Sequence, residues 1–306
     1  MDFIKPFFEG KNRGLQVLFL LLFIVAGTII FSALGSLVGY GIYHTVNMYE
    51  SSDPASYLRL TQAFTSVGMF LVPSLLFAYA YDRKWFHYSW ADHKPHYLLV
   101  NVTLLLSIVI LPVVAILSQW NQAIELPKSW APIQQWMADM DAKADELTTL
   151  LTFKHSYGTL LANILVLALI PALGEEFMFQ GTIQAFLTKW TRKPHLAIWI
   201  TAVIFSLIHF QFSGFIPRLL LGAYLGYLFY WSRSLWLPVL AHFLHNALSL
   251  LVDFSFQGRG VELDEMKFTD IHGAIPLVIS CSVVTFISLL FLWRTQKGLK
   301  EGENER

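Results

Sequence analysis

Long apolar runs, broken only by short polar segments, are the main pattern along this chain. About twenty apolar residues cross the hydrocarbon core of a bilayer as a helix. The first run, Leu15 to about His44, exceeds the roughly 7–15 residues of a signal-peptide apolar core and predicts an uncleaved spanning helix. The pattern predicts an all-α, polytopic helical bundle of about eight transmembrane helices, the other seven being Thr61–Ala80, Tyr97–Leu117, Tyr157–Leu187, His195–Phe210, Pro217–Trp231, Leu235–Leu251 and Ile271–Trp293.

Composition agrees with a membrane protein. Hydrophobic residues make up 55% of the chain and charged residues 14%, against roughly 25% charged in an average soluble domain. No long polar block interrupts the apolar runs, so residues 1–306 are predicted to form a single membrane domain. A net charge of zero argues against nucleic acid as a partner, and the single cysteine, Cys281, excludes an internal disulfide.

The positions of lysine and arginine predict the orientation. With eight spans and an inner N-terminus, fourteen of the 21 basic residues fall in the inner segments, which matches the cytoplasmic excess of basic residues. We expect a multi-pass protein of the cell's inner (cytoplasmic) membrane with both termini cytoplasmic. Within the outer segment Gln119 to Ser156, residues about 128–152 are predicted to form an amphipathic helix on the membrane surface, with a plain loop as the alternative.

Two adjacent carboxylates, Glu175 and Glu176, lie in an otherwise apolar stretch. An ionisable side chain at mid-membrane costs roughly 2.5–3.5 kcal/mol on insertion scales, so such residues usually face a cavity. Pro171 and Gly174 predict a kink just before them. Gln180 lies four residues beyond Glu176 and within side-chain reach on the same helical face. The alternative is a buried polar cluster that fixes helix register.

Two later apolar runs each supply polar side chains. His209 follows Phe205 by one turn, and His242 precedes Asn246 by one turn, so the members of each pair share a helical face. A lone membrane histidine is more often a hydrogen-bonded helix contact than a catalytic group. His245 falls to one side of the His242 face.

Together, these residues are sufficient to hydrolyse an amide with activated water. The carboxylate is the natural general base, and imidazole and amide N–H groups stabilise an oxyanion in a dry site. No serine or cysteine lies in a nucleophile pattern. Zinc remains an alternative, because Glu and His are zinc ligands, although the H-E-x-x-H pair is missing.

The order of these motifs resembles the CAAX-processing and bacteriocin-processing (CPBP, or Abi) family of intramembrane glutamic proteases. The family pattern E-E-x-x-x-R, then F-x-x-x-H, then H-x-x-x-N is matched from Glu175 to Gln180, from Phe205 to His209 and from His242 to Asn246. The resemblance covers about residues 157–251, which we take as the catalytic core. Gln180 occupies the position of the motif arginine.

The resemblance implies a metal-independent, cofactor-free endopeptidase acting on membrane-associated peptides or proteins within the lipid bilayer. Glu175 would activate the water, His209 would help to hold it, and His242 with Asn246 would stabilise the oxyanion. Glu176, Gln180 and Phe205 would support them. Because glutamine offers no fixed cation, a catalytically degenerate member acting as a membrane immunity or binding partner is an alternative, as are a metal-dependent membrane protease and a proton-coupled transporter.

The predicted spans place the two histidines at different depths. Counted from the inner ends, His209 lies toward the outer side and His242 nearer the inside. A re-entrant segment near residues 212–215 would bring them together.

Overall fold

The computed structural model describes residues 7–82, 85–257 and 279–294, apart from positions 286 and 289. Within these residues the regular structure is helical, as the sequence predicts. The helices are α1 (Arg13–Tyr43), α2 (Pro54–Tyr81), α3 (Trp85–Tyr88), α4 (Tyr97–Gln122), α5 (Ala131–Thr152), α6 (Tyr157–Thr191), α7 (Pro194–Leu207), α8 (Phe215–Ser232), α9 (Trp236–Gln257) and α10 (Ile279–Arg294). Short 3₁₀ turns precede several of these helices.

Six helices in the described part of the chain are long and apolar enough to cross a membrane: α1, α2, α4, α6, α8 and α9. This confirms a polytopic helical bundle. Two further predicted spans correspond to shorter apolar helices, α7 and α10. The predicted span His195–Phe210 was too long at its end, because α7 stops at Leu207. The start of the last predicted span, residues 271–278, and the polar tail after residue 300 lie outside the described residues.

Two of the spanning helices widen just before a proline. In α2 a π-helical turn, Val67–Leu71, precedes Pro73, and in α6 the turn Ile164–Leu169 precedes Pro171. Proline has no N–H and its ring collides with the carbonyl four residues earlier, and a wider turn relieves that collision. The irregularity predicted from Pro171 is therefore a π-helical turn.

Close helix packing in the first half of the bundle depends on glycine. A Cβ added to Gly27 of α1 would lie 2.2 Å from the carbonyl oxygen of Gly68 in α2. A Cβ on Gly68 would likewise lie 2.3 Å from the Cβ of Phe31. The two backbones therefore touch where these helices cross, the kind of contact that small residues permit in membranes.

A buried arginine ties three elements together beside the start of α6. Arg59 of α2 donates from Nε to Asn163 Oδ1 at 2.7 Å and from Nη2 to the Leu151 carbonyl at 2.6 Å. Asn163 also donates to that carbonyl, at 2.9 Å. These bonds fix the end of α5 against α6. The segment predicted to be an amphipathic helix forms α5, which is helical over Ala131–Thr152. Its position on a membrane surface stays a prediction.

The middle of the bundle is formed by α6 with α7, α8 and α9 packed around it. Phe179 of α6 and Phe205 of α7 are fully buried and meet edge to face, with ring centroids 5.1 Å apart. The polar residues singled out in the sequence lie around this pair of rings.

Candidate active site

Glu175 lies at the centre of the polar cluster. It belongs to the α-helical part of α6, Ile170–Met178, which follows the first π-helical turn of that helix. Its side chain is nearly buried, and its Oε2 lies 3.9 Å from His209 Nε2 and 4.0 Å from His242 Nε2. Oε2 accepts no hydrogen bond from the described residues. Both distances exceed a hydrogen bond and match a gap that a single water bridges.

Glu176 pairs with His242. The Glu176 side chain is completely buried, and its Oε1 lies 2.7 Å from His242 Nδ1. A carboxylate only accepts hydrogen bonds, so Nδ1 carries the proton and the other ring nitrogen, Nε2, is directed toward Glu175. The two adjacent glutamates therefore have different surroundings: Glu176 bonds to His242, and Glu175 faces both histidines.

His209 is oriented by its own backbone. It follows the end of α7, and its Nδ1 donates to the Phe205 carbonyl at 2.7 Å. This leaves Nε2 directed at Glu175. The Phe205 ring contacts both imidazoles, with centroids 5.0 Å from His209 and 5.9 Å from His242. Phe205 thus packs against both histidines.

The structure removes the depth mismatch between the histidines. Both Nε2 atoms lie within 4.0 Å of one oxygen of Glu175, so they share one depth. The chain leaves α7 after Leu207, and residues Phe212–Gly214 form a 3₁₀ turn before α8. Because α7 is short, His209 lies deeper in the bundle than the predicted span boundaries implied.

Asn246 is placed against the backbone of α6. Its Nδ2 donates to the Leu167 carbonyl at 3.4 Å. In an α-helix that carbonyl would accept from residue 171, which here is Pro171 and has no N–H. Asn246 therefore supplies a donor where proline removes one, one helical turn beyond His242. Sequence reasoning had not anticipated this contact.

Gln180 does not pair with Glu176. Its side chain is completely buried, and neither its oxygen nor its nitrogen has a hydrogen-bond partner among the described residues. Gln180 and Glu176 therefore form no side-chain hydrogen bond with each other, although they are one turn apart. The partner of Glu176 is His242. A second π-helical turn, Phe179–Gln184, begins just before Gln180 and changes the direction of the side chains that follow.

A cation that sequence reasoning missed lies near the site. Arg218 of α8 interacts electrostatically with both Glu175 and His209. The available signal was a charged residue at the second position of the apolar run predicted from Pro217. Charged side chains in such runs usually serve a function.

Among the described residues, no group of three His, Cys, Asp or Glu side chains has an arrangement that would hold a metal ion. Glu175, His209 and His242 are the residues that the zinc alternative would require.

These features define a multi-pass membrane protein with a buried glutamate facing two histidines. Residues 157–248 match the family described as Type II CAAX prenyl endopeptidase Rce1-like. Over this segment, the chain is similar to the CAAX-processing protease family whose motifs it resembles.

A similar curated protein is YpbD of Bacillus subtilis (strain 168), described as uncharacterized. The two are 29% identical over 90 residues, which is 28% of this chain and 43% of YpbD. The alignment therefore spans less than half of that relative. No solved structure matches the chain significantly.

Proposed function

We propose that this protein is an intramembrane endopeptidase that hydrolyses peptide bonds with water activated by Glu175. One observation carries the proposal: the buried Oε2 of Glu175 faces the Nε2 atoms of two histidines at 3.9 and 4.0 Å. Both gaps suit a water molecule that is hydrogen-bonded to the carboxylate and to an imidazole. The family match supports proteolysis independently of this geometry.

In the proposed reaction, Glu175 removes a proton from the water as the water oxygen attacks the carbonyl carbon of the substrate. His209 accepts the second water hydrogen at Nε2, since its Nδ1 already donates to the Phe205 carbonyl. The tetrahedral intermediate then collapses, the C–N bond breaks, and the proton held by Glu175 passes to the leaving amine. General acid–base catalysis of this kind contributes typically 10²–10⁴-fold.

In this mechanism His242 stabilises the oxyanion. The Glu176 carboxylate, 2.7 Å from Nδ1, favours an imidazolium whose Nε2–H donates to the developing negative charge. Asn246 is proposed as a second donor, through the N–H of its amide that does not bond to Leu167. Glu176 acts through His242 and is a positioning residue.

An apolar groove next to the site supports a membrane-associated substrate. It has a volume of about 450 Å³, no exposed polar atoms, and walls from α1, α2, α6 and α7 that include Leu20, Phe179, Ile200 and Ile208. Phe179 lies one turn beyond Glu175, and Ile208 directly precedes His209. A lipid chain or apolar side chain in this groove would reach the reacting groups from within the bilayer.

The decisive variant is Glu175→Gln, which keeps the shape of the side chain and removes the base. We expect the purified protein in detergent to cleave members of a peptide library, with and without lipidated cysteines. We expect Glu175→Gln to lose cleavage by at least about 10²-fold. Glu125→Gln, at an exposed site in the outer segment, is the matched control and should retain full activity.

Two results would contradict this mechanism. Cleavage that persists in Glu175→Gln protein would remove the proposed base. Cleavage abolished by a chelator and restored by zinc would show a metal-dependent protease.

A second candidate is a non-catalytic membrane partner, including an immunity factor. Its support is Gln180, which stands in the arginine position and has no hydrogen-bond partner among the described residues. A cellular phenotype that needs the protein but tolerates Glu175→Gln and His209→Gln would favour this function.

A further inference from the structure

Arg218 is held in a fixed orientation at the start of α8. Its Nη1 donates to the Gln211 carbonyl at 2.9 Å, and its Nη2 donates to the Gln211 side-chain oxygen. Gly214 lies against the guanidinium, since a Cβ there would be 2.9 Å from Nη1. The side chain is partly buried, so this cation is oriented by the protein.

The face of α8 that carries Arg218 packs toward the active site. Gly222 lies one turn further along the same face, and a Cβ on it would be 3.1 Å from Cδ1 of Phe205. Phe205 in turn contacts the rings of His209 and His242. Arg218 is therefore about one helical turn, roughly 6 Å along the axis, from the contact that supports both histidines.

The electrostatic neighbours of Arg218 belong to two elements, α6 and α5. The guanidinium interacts electrostatically with Glu175 of α6 and with Asp141 and Asp145 of α5. Asp141 also accepts from the backbone N–H of Ser213 at 3.0 Å, which fixes α5 against the turn that holds Arg218. A substrate chain bound at Glu175 would therefore lie near this cation.

We propose that Arg218 is a specificity-determining residue that binds a carboxylate of the substrate next to the scissile bond. A guanidinium has five N–H donors and suits carboxylates bidentately, and the bonds to Gln211 use two of them. Arg218 thus supplies, from α8, the cation that Gln180 does not supply from α6. The carboxylate is either a free C-terminus or an acidic side chain. This inference rests on the proposed peptidase function.

The test uses fluorescent apolar hexapeptides in two matched pairs. The peptides of the first pair differ only at the C-terminus, which is a carboxylate in one and an amide in the other. Those of the second pair differ only in one side chain, Asp or Asn. Binding is measured by fluorescence anisotropy in detergent, on Glu175→Gln protein to prevent cleavage. We expect one carboxylate peptide to bind at least about tenfold more tightly than its neutral partner, the factor given by one charge-assisted hydrogen bond. The pair that shows the preference identifies the source of the carboxylate.

Arg218→Gln in the same background should abolish that preference, and Arg218→Lys should restore part of it. Arg233→Gln, at the exposed far end of α8, is the matched control and should leave the preference intact. A preference that survives Arg218→Gln overturns the proposal, and so does binding without any preference or no binding at all. Cleavage assays are separate: lost cleavage with a retained Arg218-dependent preference would refute the peptidase and leave carboxylate recognition standing.

Discussion

Single residues of the candidate site are recognisable in the sequence, but their partners are not. Glu175, His209 and His242 were predicted as one cluster, and the structure brings them together around one carboxylate oxygen. The pairing of Glu176 with His242 joins residues 66 positions apart. No local spacing indicates such a contact, so the sequence suggested the nearer Gln180. Arg218 was missed for the same reason.

The contact between Asn246 and Leu167 leads to a prediction about these two helices. Asn246→Leu should destabilise the protein by roughly 0.5–1.5 kcal/mol, the range for interhelical hydrogen bonds in membranes, because the Leu167 carbonyl loses a donor. In a Pro171→Ala background the residue at 171 regains an N–H, so the loss should be smaller. Unfolding in detergent of the four proteins of this double-mutant cycle measures the difference.

The same cycle separates structural from catalytic effects of Asn246. If Asn246 also donates to the oxyanion, Asn246→Leu will lower kcat equally in both backgrounds. Equal stability losses with and without Pro171 would show that the donor function assigned to Asn246 is wrong.

At the scale of elements, hydrophobic periodicity was sufficient to locate the spanning helices but not their internal irregularities. The predicted start of Tyr157–Leu187 coincides with α6, which continues to Thr191. Of the two π-helical turns inside α6, Ile164–Leu169 precedes Pro171 and Phe179–Gln184 lies where α6 packs against α7 and α8. Apolar composition indicates neither turn. Helix ends were also displaced: α7 ends at Leu207, before the predicted end of its span at Phe210.

The crossing of α1 and α2 gives a prediction at this scale. Gly27→Ala would put a methyl group against the carbonyl oxygen of Gly68, at 2.2 Å before any movement. We expect overpacking to destabilise the protein by roughly 1–3 kcal/mol. The measurement is thermal unfolding in detergent.

Gly41→Ala is the matched control, in the same helix with nothing within 4 Å of the added atom. It should be neutral or stabilising by up to about 1 kcal/mol, since alanine favours helices. Equal effects of the two substitutions would show that the helices do not touch at Gly27.

At the scale of the whole molecule, the apolar groove is lined by Phe179 and Ile208, which are close in the chain to Glu175 and His209. Ile200→Trp should fill part of it and lower kcat/KM for a lipidated peptide by roughly tenfold, because a hydrophobic pocket loses discrimination on this scale when its shape changes. Cleavage of an unlipidated peptide should change little. Both reactions are followed with the same enzyme preparation.

Val203→Trp provides the comparison for that experiment. Val203 lies on the same helix and is exposed on the outside of the bundle, so the added ring should not enter the groove. Similar losses from both variants, or equal losses for both peptides, would mean that the groove does not receive the lipid.

The wide turns of α6 also determine how this chain is compared with others. A π-helical turn holds one residue more than the α-helical turn it replaces, and one residue corresponds to about 100° of rotation. Deleting one residue from Ile164–Leu169 would therefore keep α6 helical. It would rotate the part of α6 before this segment by about 100° relative to Glu175. An alignment with a relative that lacks the turn needs a single-residue gap there, and a gap placed elsewhere would assign the wrong residues to the face that meets α9.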